Sequence, residues 1–151
     1  MREIKFRGMG INGEWYTGNL SIIKQRIKSM GIDPGSYISN KAGVPFAYKV
    51  RPETVGQFTG LEDKNGKGIY EGDSYTAKHK SGKVYTGQVK YDLSFVFDIE
   101  GFEELFINGV GAVKTNRTFD IHSFVKWFDE VEVIGDVYQN PKLQEASHAS
   151  E

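Results

Sequence analysis

Between Thr54 and Asp73 the chain reads TVGQFTGLEDKNGKGIYEGD, and no other stretch limits the possible folds as much. Val55 and Phe58 lead into Asp63-Lys-Asn65-Gly66, a run of residues that hydrogen-bond their own backbone or tolerate positive φ. Ile69 and Tyr70 then resume an apolar run, and Glu71-Gly72-Asp73 turns the chain again. Two short apolar runs on either side of a polar turn suit a hairpin. Phe58, Leu61, Ile69 and Tyr70 are therefore expected to pack into one core around the 63–68 turn. Gly72, between two acidic residues at a tight corner, is expected to take positive φ or to lie against another backbone.

The same texture extends along the chain. Ile4 and Phe6 alternate with Glu3, Lys5 and Arg7, as a strand with one wet face does. An Asn12-Gly13 turn joins it to a second short strand at 13–18, a hairpin. Leu20, Ile23, Ile27 and Met30 fall at helical spacing, with Asn19 or Ser21 to cap the start and Gly31 to close the end. One short helix is predicted there. Strands are predicted at 37–39 and 46–50, and then at 55–59, 74–79, 83–91, 95–99 and 130–138, with Ser81-Gly82 as a compact hairpin turn. Residues 103–106 read as a short helical turn and 109–118 as an exposed Gly-rich loop. The expected architecture is mainly β: an N-terminal β-hairpin region with one short helix, then a small SH3-like barrel. This places a β/helix lobe at 1–52, the barrel lobe at 53–143, the two sharing one core, and a disordered polar tail at 144–151.

The pattern QFTGL-D-NG--IYEGD resembles the YopX family of bacteriophage and prophage proteins. The resemblance extends to Arg2-Glu-Ile-Lys-Phe-Arg7 and to the run from Phe128 to Pro141, in the same order along the chain. On it, Phe58, Gly60, Gly66, Tyr70, Glu71, Gly72 and Asp73 form a structural motif. It implies a phage or prophage protein and brings no catalytic residues with it.

With no Cys among 151 residues, disulfides, thiolate metal sites and Cys nucleophiles are impossible. No run approaches the ~18 apolar residues of a membrane-spanning helix, and the start is charged and Gly-rich, unlike a secretory signal. A cytoplasmic protein of a bacterial host is expected. The net charge of −1 conceals an asymmetry: residues 1–51 hold nine cations and three anions, against ten and 17 in the remainder, hence +6 and −7. Lys24, Arg26 and Lys28 would line the outer face of the predicted helix, a possible binding surface.

Motifs that could carry chemistry are incomplete. Gly8-Met-Gly10-Ile-Asn-Gly13 matches G-x-G-x-x-G, but a strand follows it where a dinucleotide site needs a helix. Asp63-Lys-Asn65-Gly-Lys67 begins like a calcium loop, but Lys67 stands at the fifth position and Ser74 where the bidentate Glu belongs. His79, His122 and His148 show no metal-ligand spacing. Neither a cofactor nor a metal is expected. Glu71 and Asp73 could serve an acid–base hydrolase, although carboxylates at a tight corner usually bind backbone N–H groups. Tyr75, Tyr85 and Tyr91 interleave with Lys78, Lys80, Lys83 and Lys90. That is either a stacking platform for single-stranded nucleic acid or a strand with aromatics in its core and lysines in water. The expectation is a non-enzymatic phage or prophage accessory protein acting by binding or self-assembly, a homo-oligomer whose other partner is an unknown phage or host protein. The alternatives are a nucleic-acid-binding module and the Glu71/Asp73 hydrolase.

Overall fold

The computed structural model describes residues 3–40, 47–105 and 112–138. It is mainly β, with two antiparallel sheets and one short helix, and divides into two compact units at Gly60/Leu61. The Phe106 and 144–151 expectations lie outside the described residues, as do parts of those for 37–50 and 103–118.

In the first unit, β1 (Phe6–Met9) pairs with β2 (Trp15–Ile23) around the predicted Asn12-Gly13 turn, where Gly13 takes φ 82°. β3 (Gly35–Ser39) follows on β2, β4 (Tyr48–Val50) on β3, and the start of β5 (Gly56–Glu62) covers the other edge of β1. Met9, Ile38, Val50 and Phe58 are buried. Gly8 lies so close to Val50 that a Cβ would come within 2.6 Å of its Cγ2. This glycine of the G-x-G-x-x-G string is there for packing. Thr54 is almost fully buried at the end of a short 3-10 turn, where its Oγ accepts the Met9 N–H and donates to the Arg51 carbonyl.

The helix predicted from Leu20 to Met30 is not formed. Residues 19–23 are strand, paired position by position with 35–39. Ile27 and Ile32 then exchange backbone hydrogen bonds to close a four-residue loop, with Gly31 at φ 65°. The helical spacing of four apolar residues loses to a five-position ladder with a remote strand, which two consecutive β-branched residues, Ile22 and Ile23, favour.

In the second unit β5 continues to Glu62, and β6 (Gly68–Tyr70) pairs with it across the 63–67 turn. A five-stranded sheet follows: β7 (Asp73–His79), β8 (Val84–Tyr91), β9 (Phe95–Leu105), β10 (Ala112–Asp120) and β11 (Phe128–Asp136), in the order β10-β9-β8-β7-β11. No pairing among the described residues joins β10 to β11, so the sheet is seen open and no closed barrel is found. The predicted loop at 109–118 is corrected from 112 onward, where the chain is β10. The predicted helical turn is corrected at 103–105, the end of β9.

The helix α1 (Ile121–Trp127) stands between β10 and β11. Asp120 caps it, its carboxylate accepting the Ser123 N–H at 2.7 Å. Ile121, Phe124 and Phe128 follow at spacings of three and four, which turns their side chains to one face. Phe124 stacks on Phe97 at 4.1 Å between ring centres and on Phe128 at 5.0 Å, while Tyr75 meets it edge-on. With Ile69, Ala77, Val89, Ile99 and Phe119 these rings form the second unit's core.

Candidate functional site

The 54–73 motif resolves into two joints made from backbone hydrogen bonds. At the first, Asp63 is buried although it lies in a turn. One of its oxygens accepts the N–H groups of Asn65 and Lys67, each at 2.9 Å. The other accepts the Val133 N–H at 3.0 Å, and the Lys64 N–H donates to the Val131 carbonyl. The turn is thereby fastened to the edge of β11. Burial alone would raise the Asp63 pKa, but the three N–H groups and the nearby Lys67 charge outweigh it and hold the carboxyl below its usual 3.8. Oxygens already accepting backbone hydrogens, with a lysine beside them, make a poor calcium ligand. The turn is a clasp.

At the second joint Gly72 takes φ 94°. Its N–H donates to the Val89 carbonyl and its own carbonyl accepts the Val137 N–H, so one residue ties β8 to the end of β11. Asp73, 1% exposed, accepts the Tyr70 N–H at 2.8 Å. Asp136 lies opposite Asp73 in the ladder and accepts the Tyr138 N–H at 2.8 Å. An oxygen of each buried carboxylate thus holds a turn at the same end of the sheet.

The other motif residues divide between the units. Phe58 is buried in the first, with the Lys5 ammonium 4.6 Å from its ring centre. Gly60, at φ 92°, ends that unit. Gly66, at φ 80°, occupies the clasp turn with open space where a Cβ would be. Ile69 belongs to the second unit's core, with Leu61 packed against it.

Lys24, Arg26 and Lys28 are all exposed, on the tip of the β2–β3 hairpin instead of a helix. Arg26 is paired with Asp33. Tyr75 cannot serve as a stacking platform. It is fully buried, its hydroxyl donates to the Asp98 carbonyl, and burial together with the Asp98 charge pushes its pKa up. Lys90 pairs with the Asp98 carboxylate at 2.8 Å. His79 is half-buried among Tyr85, Phe102, Trp127 and Phe128, and its Nδ1 accepts the Ser81 N–H. No group of three His, Asp or Glu side chains suited to a metal occurs among the described residues. No helix there is long and apolar enough to cross a membrane.

A pocket of about 300 Å³ opens beside the clasp. Leu61, Ile69, Phe124 and Phe128 give it an apolar floor, and Val125 and Val131 line it too. Glu62, Asp63, Lys64, Asp129 and Glu130 supply its polar lining. Asp63 is engaged in the clasp, and Lys64 is paired with Glu132 at 3.2 Å. Glu62, Asp129 and Glu130 are exposed. The rim is bent by a bulge: the pairing of β11 with β7 shifts between Asp129 and Glu132, and Glu130 takes φ 48°, uncommon for a residue with a side chain. Sequence reasoning missed this pocket. The signal in reach was the Asp120 cap with Ile121, Phe124 and Phe128 at helical spacing, which places α1 over the second unit's core.

A search of curated proteins gives no match. The family model described as YopX protein matches residues 5–145, nearly the whole chain. The clasp and the corner carry the residues by which the 54–73 stretch resembles that family, and over this span the chain belongs to the YopX family.

Proposed function

We propose that the chain is a non-enzymatic phage or prophage accessory module that works by binding another macromolecule or by self-assembly. The β2–β3 tip carries the reading. From residue 24 to 31 the backbone is ordered by the Ile27–Ile32 bridge, yet every side chain is exposed except the half-buried Ile27. Met30 is 66% exposed at the loop and Ile22 63% at its base, beside Lys24, Arg26 and Lys28. A closed hairpin that buries so little of itself presents apolar and cationic groups outward, as contact surfaces do. The exposed Trp127 in the second unit adds a second apolar contact point. The burial of Asp73, with one oxygen committed to the Tyr70 N–H, weighs against the Glu71/Asp73 hydrolase alternative. A homo-oligomer suits the charge asymmetry, with the tip meeting an acidic surface of a neighbouring copy. The lack of Cys supports a reducing bacterial cytoplasm. The second unit is taken as SH3-like in its consecutive antiparallel strands and tight turns.

Sedimentation at low and high salt tests the assembly reading. An oligomer that loosens with salt is expected, since exposed charge pairs weaken as the Debye length shrinks from ~10 Å at 0.1 M salt. A monomer at both salts and micromolar concentration overturns self-assembly. The nucleic-acid alternative draws on Arg2, Lys5, Arg7, the tip cations and Lys78, Lys80, Lys83 and Lys90, and its mark is an affinity for nucleic acid that falls steeply with salt.

A further inference from the structure

We infer that the pocket beside the clasp is a docking site for a segment of another protein that carries an arginine or lysine next to a large apolar side chain. The inference rests on the binding half of the function proposed above and assigns that half a site. The floor is apolar, with Leu61 and Phe124 among its residues, and a volume of about 300 Å³ suits a side chain or two. Charge complementarity selects the occupant. Glu62, Asp129 and Glu130 stand at the mouth, exposed and with no ion pair to a cation among the described residues. The one cation among the described lining residues, Lys64, is held by Glu132. An anionic or purely apolar group would leave three carboxylates facing it without compensation, whereas a guanidinium or ammonium on an apolar stem satisfies floor and mouth together. Val125 is 54% exposed within the lining, so the occupant meets apolar surface still open to water. A side chain anchored on a larger partner is placed in this way, with its backbone outside.

The test uses the full chain and isothermal titration with an acetylated, amidated Gly-Leu-Arg-Leu-Gly peptide. Binding is expected, at least severalfold tighter than that of the same peptide with Glu in place of Arg. The double variant Glu62→Gln/Asp129→Asn, two exposed near-isosteric changes, should weaken it about fivefold, in line with the worth of exposed charge pairs. Glu53→Gln, an exposed charge in the first unit, should leave it unchanged. Equal binding of the Arg and Glu peptides, or a double variant that binds like the parent, overturns the inference, as does a parent chain that gives no binding heat. Butylguanidine binding as tightly as the peptide would make this a small-cation site and overturn it too. If the double variant instead loses self-association, the occupant is a second copy and the assignment falls. Sedimentation of the same samples separates the two readings: an oligomer that persists while the peptide fails to bind keeps the function proposed above and loses this site.

Discussion

Asp63 and Gly72 show how two residues fasten turns to strands through backbone N–H and C=O groups. Asp63→Asn replaces one of two accepting oxygens with an amide that cannot accept. The expected loss is ~1–3 kcal/mol, the cost of leaving a buried N–H without its partner. The pH dependence follows from the lowered carboxyl pKa. The Asp63 contribution is fully present above its unfolded value near 3.8 and is lost as pH falls through the lower folded value. Urea unfolding of the parent and Asp63→Asn chains should therefore differ most near neutral pH and converge below pH ~3.8. A gap that stays constant into acid would show that the clasp does not depend on charge. Gly72→Ala puts a Cβ on a backbone at φ 94° and should cost ~1–3 kcal/mol in the same measurement. Both residues stand out in the sequence because Asn-Gly and Gly-Asp report local geometry. Their partners Val133, Val89 and Val137 do not, since those contacts depend on how strands far apart in the chain meet.

Strand positions were largely legible at the scale of elements. Alternation and turn chemistry lead to β7, β8, β11 and the start of β9 within a few residues, because both signals lie within a few positions of each other. The helix was misplaced for a physical reason. The 20–30 segment has helical spacing, but its ladder partner is β3, across the Asp33-Pro34-Gly35 turn. The true helix has seven residues, shorter than an isolated helix can sustain, and Phe124 anchors it to the aromatic core. Phe124→Ala should cost ~3–5 kcal/mol. Removing the cap with Asp120→Ala should cost only ~0.5–2 kcal/mol. Thermal unfolding of the two variants checks the order, and a costlier cap would mean that α1 holds by local hydrogen bonding instead of its buried ring.

For the molecule as a whole, the charge asymmetry makes a further prediction. Lys24→Glu/Lys28→Glu leaves the Arg26–Asp33 pair in place and changes two exposed side chains, so stability should move by less than ~1 kcal/mol. Self-association should weaken, and sedimentation equilibrium reads it directly. An unchanged oligomer would keep assembly and discard the charged tip as its contact. By itself the sequence determined the β class, the turns, the lack of thiol chemistry and the family signature, all properties of composition or of neighbouring residues. Only the tertiary structure decided that Tyr75 is core, that Asp73 and Asp136 face each other, and that α1 and the bulged β11 enclose an apolar pocket with an acidic mouth. Those outcomes depend on pairings between distant segments, where register sets which side chains meet, and register is a property of two strands at once.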